Sequence, residues 1–245
     1  EKYDSIKYDG FYRRFEQKEN FPEIAGKDIR AYFNFNTDEG EKIGIRMALS
    51  PVSTIGALKN LEAEVPEWDF NKIKQQAKNK WNKELSKIEV ETMDSRQKVT
   101  FYTALYHTNL SPILYEDVDG QYLGLDQNTH QSEGFTNYTI FSLWDTYRAL
   151  HPLFNLTQTE RNNDMIKSML AHHDQSVHHM LPIWSHYANE NWCMIGYHAT
   201  SVIADALAKN VGDFKIEHAL KASINTANVR YFDGLGDYID YHYVP

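Results

Sequence analysis

The spacing of apolar residues changes period near residue 54, and that change constrains the fold more than any other feature of the chain. Before it, Ile29-Arg-Ala-Tyr-Phe-Asn-Phe-Asn36 and Lys42-Ile-Gly-Ile-Arg-Met-Ala-Leu49 alternate with period two, as half-buried strands do. Thr37-Asp-Glu-Gly40 between them is a turn cluster, so the pair reads as a hairpin. A lone hairpin is marginal in water, which places it in a larger sheet. After residue 54 the steps become three and four. Ile55–Glu64 reads as a short helix stopped by Pro66, and Asp69 caps an amphipathic helix carrying Phe70, Ile73, Ala77, Trp81, Leu85 and Ile88 on one face. Further helices are predicted from Ser95, as cap, toward Leu110; over Phe141–Leu150, closed by Pro152; after a Thr157-Gln-Thr-Glu160 capping box; and over Met194–Lys209 and Lys215–Val229. Residues 115–139 read as an irregular loop or small hairpin. The fold class is therefore α+β: β structure over 1–53, a helical linker over 54–94 and a helical domain over 95–245. Connections of very unequal length suggest a helical barrel with a loop-built face, since a plain bundle has shorter, more even loops.

Composition narrows the partners. With 25 Lys and Arg against 34 Asp and Glu the net charge is −9, which argues against duplex nucleic acid as a partner because that needs a basic face. No apolar run approaches the roughly 18 residues of a membrane span. The single cysteine, Cys193, excludes an internal disulfide and a multi-cysteine zinc site. The 16 Tyr, 12 Phe, 5 Trp and 11 His suit a protein that stacks rings on sugars, and equally one that fills a core with rings. Glu1 stands without an initiator Met and Pro245 closes an abrupt end, so the expectation is a piece of a longer protein.

Three segments concentrate chemistry. His172, His173, His178 and His179 crowd one stretch, but no pair sits four apart as in the HExxH zinc pattern, and histidines bonded at a helix end suit the spacing as well. Phe141-Ser-Leu-Trp-Asp-Thr-Tyr-Arg148 places an indole, a carboxylate, a phenol and a guanidinium within two turns, with Asp145 and Arg148 spaced to pair. Glu190 stands between Asn189 and Asn191 beside Trp192, just before the helix predicted from Met194. A carboxyl beside an indole tends to hold its proton, whereas a helix N-terminus favours the anion. An ordinary helix-end acid is the competing reading.

Phe141-Ser-Leu-Trp-Asp-Thr-Tyr-Arg-Ala-Leu-His-Pro-Leu153 resembles a signature of the exo-acting α-mannosidases of glycoside hydrolase family 92. So do Phe101-Tyr-Thr-Ala-Leu-Tyr-His107, Asn189-Glu-Asn-Trp-Cys-Met-Ile-Gly-Tyr-His-Ala199 and Trp68-Asp-Phe with Trp81-Asn. The similarity runs from about residue 40 to Pro245. It implies the end of an N-terminal β-sandwich, a helical linker and the first part of an (α/α)6 catalytic barrel. It also implies Ca2+-dependent, inverting hydrolysis of terminal α-mannose from glycans such as N-glycans or mannans. By that resemblance Glu190 is the general acid, Trp144 and Asp145 hold the terminal mannose, and the general base and calcium ligands follow Pro245. Asn191 departs from the pattern, where Thr is expected. The chain alone is then expected to be inactive, and the family's setting implies a periplasmic, cell-surface or secreted bacterial enzyme. A non-catalytic glycan-binding protein on the same scaffold is the alternative.

Overall fold

The computed structural model describes residues 5–10, 13–17, 31–232 and 234–244, and the chain divides into two compact units, Glu1–Ile45 and Arg46–Pro245. In the first unit, β1 (Ser5–Gly10), β2 (Arg13–Gln17) and β3 (Ala31–Asn34) form an antiparallel sheet in the order β2-β1-β3. The predicted hairpin is corrected here. The turn forms, with Glu41 N–H donating to Asp38 O at 3.1 Å and Gly40 at φ 81°, but residues 42–49 form no strand. β3 pairs instead with β1, in the register Ser5↔Asn34 to Tyr8↔Ala31. Alternation marks which side chains share a face; it does not name the partner strand. Residues 29 and 30 of the predicted strand, like 1–4, 11–12 and 18–28 of the predicted β region, lie outside the described residues.

The second unit opens with α1 (Thr54–Glu64), which Ser53 caps by accepting the Gly56 N–H. α2 (Phe70–Leu85) is capped by Asp69 as predicted, yet none of its residues is buried and Phe70 is exposed. It packs on α3 (Ser95–Thr108) through Trp81 and Tyr106, whose ring centroids are 4.6 Å apart. The cap of α3 is Asp94, not Ser95, because Asp94 Oδ1 accepts the Arg96 N–H. Residues 113–139 fold as two nested antiparallel pairs. β4 (Ile113–Leu114) pairs with β7 (Tyr138–Thr139), and β5 (Gln121–Leu123) pairs with β6 (Thr129–Gln131) inside them.

The segment after β7 departs most from expectation. Phe141–Leu150 is not one helix: β8 (Phe141–Ser142) leads into a single turn, α4 (Leu143–Thr146), and α5 starts at Leu150 and runs to Thr157. Pro152 therefore lies in the first turn of α5, where its missing N–H costs nothing, and opens a helix rather than closing one. The capping box is also absent. Thr157 ends α5 and bonds back to Leu153 O at 3.0 Å, while α6 (Thr159–Gln175) has no side-chain cap. β9 (Trp184–Ser185) follows, then α7, which spans Ala199–Ala208 rather than beginning at Met194, then α8 (Ile216–Ala227) and α9 (Leu235–Tyr241).

The core lies among α5–α8. Met165, Ile166 and Met169 of α6 pack with Phe141, Leu143, Phe154 and Leu181, and Ala199, Ala206, Ala219 and Ala222 let α7 and α8 approach closely. A polar chain crosses it, from His151 Nδ1 to Asn162 Oδ1 at 2.7 Å, Asn162 Nδ2 to Asn155 Oδ1 at 2.6 Å, and Asn155 Nδ2 to Asp205 Oδ2 at 2.9 Å.

Candidate functional site

β8 and β9 join the two segments that the sequence singles out. Their register is Phe141↔Ser185 and Ser142↔Trp184. β8 runs directly into α4, which carries Trp144 and Asp145; β9 runs into the loop that carries Glu190. Pairing only four residues thus brings the two strings to one place.

Glu190 is buried, and its carboxylate gathers backbone donors. Oε1 accepts the N–H groups of Trp184 at 2.8 Å and Trp192 at 3.0 Å, and Oε2 accepts the Ile183 N–H at 3.0 Å. One side chain thus satisfies three backbone donors of a loop in which Tyr187, Trp192 and Met194 all have left-handed backbones, with φ of 54°, 56° and 67°. His172 Nε2 stands 3.6 Å from Oε2, and Ser185 Oγ lies 3.3 Å from His172 Nδ1. Complete burial, with His173 adding repulsion, pushes His172 down to about 3, so it is a neutral imidazole beside the carboxylate. Glu190 does not stand at a helix start, since α7 begins only at Ala199. The helix-end reading of this residue is thereby removed. The sequence marks His172 only as a member of a histidine run; its approach to Glu190, and that of Ser185 to it, is made by folding and not by spacing.

Trp144 and Asp145 sit half-exposed and exposed on α4. Asp145 accepts a hydrogen bond from Ser142 Oγ. The pairing of Asp145 with Arg148 expected from their spacing does not form. Arg148 instead lies over the Trp144 ring, 4.7 Å from its centroid, and over Tyr147 at 5.0 Å, while its Nε donates to Trp144 O at 3.3 Å. Tyr147 in turn stacks on His198 at 4.2 Å with the rings 4° from parallel. Burial holds His198 below its ordinary value, with Arg148 contributing, so this ring too is neutral. A flat indole with one face braced by a cation, next to a carboxylate, can stack on a sugar and bond its hydroxyls.

Among the described residues one group of histidines and carboxylates converges closely enough to hold a cation: His173, Asp174 and His218, with donor atoms within 4.8 Å of one another. Two imidazole nitrogens and one carboxylate oxygen are not the six to eight oxygens that calcium takes, so these residues do not fit calcium. None of them belongs to the Glu190 or Trp144 clusters.

Comparison with known proteins bears on the same segments. Residues 56–245 match the model of the glycosyl hydrolase family 92 catalytic domain. Among solved structures, the family 92 α-mannosidase BT3965 from Bacteroides thetaiotaomicron is 44% identical, with a TM-score of 0.85 over 98% of this chain and 33% of its own. The inverting mannosidase BT2199 from the same organism is 27% identical, with a TM-score of 0.84 over 99% of this chain and 33% of its own. An uncharacterized secreted glycosidase of Arthroderma benhamiae is 27% identical over 121 residues, which are 47% of this chain and 14% of that protein. The chain thus spans about a third of the length of the mannosidases it matches. With the family match covering Gly56 to Pro245, α+β architecture shared with these enzymes, and the indole–carboxylate string and the Glu190 loop both inside the matched region, the chain belongs to glycosyl hydrolase family 92.

Proposed function

We propose that the protein containing this chain is a Ca2+-dependent exo-α-mannosidase, which releases terminal α-linked mannose from glycans such as N-glycans or mannans with inversion at the anomeric carbon. The observation that carries the reading is the family match over 56–245 together with two solved relatives, one named as an α-mannosidase and also solved in complex with mannoimidazole, the other named as an inverting mannosidase. In this reading residues 1–53 end a β-sandwich, 54–94 form the helical linker and 95–245 begin an (α/α)6 barrel. Trp144 stacks on the terminal mannose and Asp145 accepts its hydroxyls. The general base and the calcium ligands lie outside the chain, so residues 1–245 alone turn nothing over. Export to the periplasm, cell surface or medium is part of the proposal, in keeping with the secreted relative.

Glu190 carries the general-acid assignment from the resemblance, and its geometry supports a second reading. An acid must present a proton to the leaving oxygen. Oε1 already accepts two N–H groups, so a proton there displaces a hydrogen bond, whereas Oε2 accepts one and keeps a lone pair on the side of His172 Nε2. A clamp that holds β9 and its loop needs no proton at all. The leaving group separates the two roles. A sugar alkoxide needs protonation and a dinitrophenolate does not, so loss of a true acid costs roughly 10²–10⁴-fold on α-mannobiose and far less on dinitrophenyl α-mannoside. The test is full-length wild type against Glu190→Gln on both substrates, with and without chelator. Turnover that stops on chelation, returns with Ca2+ and releases β-mannose supports the enzyme reading. Binding without turnover makes the protein the glycan-binding alternative. Equal losses on the two substrates assign Glu190 to the clamp.

A further inference from the structure

Of the densest histidine segment, His172 approaches Glu190, whereas its neighbour His173 meets His218 of a different helix in space. His173 and Asp174 occupy the last turn of α6, and His218 the first turn of α8. Asp174 Oδ1 receives both rings: His173 Nδ1 at 2.9 Å and His218 Nε2 at 2.9 Å. On its far side His173 Nε2 meets the side-chain amide of Asn225, also on α8, at 3.2 Å. His173 is buried, His218 is half-buried and Asp174 is exposed, so the cluster opens to solvent on the carboxylate side.

We propose that His173 Nδ1, Asp174 Oδ1 and His218 Nε2 form a binding site for a first-row divalent cation of the Zn2+ class, with water completing the coordination. Four observations carry it. The donors are two imidazole nitrogens and one carboxylate oxygen, a set that suits zinc, cobalt or nickel and disfavours calcium and magnesium. All three donor atoms lie within 4.8 Å of one another without any rearrangement. Tetrahedral zinc spaces its ligand atoms roughly 3.3 Å apart, so the carboxylate need retreat only slightly from the two rings, which its exposed position permits. The ligands also stand on two helices that pack against each other through the core, Met169 on one and Ala219 and Ala222 on the other, so the backbone is fixed before the ion arrives.

Asn225 supplies the remaining element. A metal-bound imidazole donates its other N–H to an acceptor that fixes the ring. When the cation takes Nδ1 of neutral His173, the proton leaves that nitrogen and a proton is held on Nε2. Asn225 then turns its amide over to present Oδ1 to that N–H. His218 likewise carries its proton on Nδ1. No net proton is gained or lost, and no oxidant or reductant is involved.

The experiment uses the full-length protein, stripped of metal and kept in excess Ca2+ to occupy oxygen-rich sites. Zinc chloride is titrated by calorimetry, and cobalt chloride is followed by its visible absorption. The expected result is one Zn2+ site that is lost in His218→Ala and in Asp174→Asn, together with a Co2+ spectrum lost in the same variants. Asn225→Ala is expected to weaken binding by roughly 10–100-fold while keeping the stoichiometry. His218 is on the surface turn of its helix, and circular dichroism verifies that the variant is folded; His218→Gln provides a second variant of closer size. Unchanged affinity in folded His218→Ala and His218→Gln, or no Zn2+ uptake by wild type, overturns the proposal. Neither result touches the mannosidase reading, which rests on other residues.

Discussion

The side-chain amide of Asn60 in α1 donates to the carboxylate of Asp117 at 2.8 Å, across 57 positions of sequence. The same amide reaches Leu49 O at 2.9 Å, its oxygen accepts the Val118 N–H at 2.8 Å, and Ser50 Oγ holds the other oxygen of Asp117 at 2.7 Å. This buried knot ties α1 to the β4–β7 region. It also dictates Gly56. A Cβ there would overlap Asp117 Oδ2 and press on Ser50 Oγ at 2.7 Å. Alanine ordinarily stabilises a helix by up to ~1 kcal/mol over glycine. At this site the sign reverses, because the obstructing carboxylate is held by two partners, Asn60 on one oxygen and Ser50 on the other. Gly56→Ala is expected to destabilise by about 1–3 kcal/mol, read as a lower urea midpoint at unchanged slope. A raised midpoint would show that the knot yields freely.

His151 sets an acid limit. It is fully buried, and burial pushes it down to about 4, although its bond to Asn162 opposes the shift. Its folded value lies below its unfolded value of about 6.5, so between the two the unfolded chain binds the extra proton. Stability from this group is complete above about pH 6.5 and falls as pH drops toward 4, by about 3 kcal/mol in all. His151→Gln keeps a donor for Asn162 and does not titrate. Thermal melts from pH 7 to pH 4 should show a shallower decline in the variant than in wild type; parallel declines would assign the acid sensitivity to other groups.

Thr226 offers an isosteric test of one hydrogen bond. It is fully buried in α8, its Oγ1 donates to Ala222 O at 2.8 Å, and the same oxygen accepts the Leu181 N–H at 2.8 Å. Valine preserves the volume but leaves the Leu181 N–H without an acceptor. Thr226→Val is expected to cost about 1–3 kcal/mol, measured by denaturant unfolding, with faster amide exchange at Leu181. Unchanged exchange at that amide would mean that another acceptor takes over.

Where caps and periodicity act locally, the sequence is a good guide. Asp69 caps the helix it precedes, as its position predicts, and α8 falls within the predicted span. The failures come from residues whose partners are distant. Pro152 reads as a stop until α5 is seen to begin just before it, and Met194 reads as helix until Glu190 is seen to hold its loop open by backbone bonds. The site strings were legible as strings: Trp144, Asp145 and Glu190 all lie near the β8–β9 pair. What they touch was not, because Arg148 chooses an indole over a carboxylate and His172 reaches the Glu190 loop from α6.

The β8–β9 pair has a mechanical consequence. Trp184 N–H goes to Glu190, while Trp184 belongs to the strand whose neighbour runs into α4. Leu143 N–H also reaches across to Ile183 O at 3.4 Å, and the Ile183 N–H returns to Glu190. The Trp144 turn and the Glu190 loop therefore share one hydrogen-bonded backbone, with no slack segment between them. Displacing the Trp144 turn strains the same backbone that supplies the donors to Glu190, and a substitution at Glu190 is expected to loosen the Trp144 turn as well.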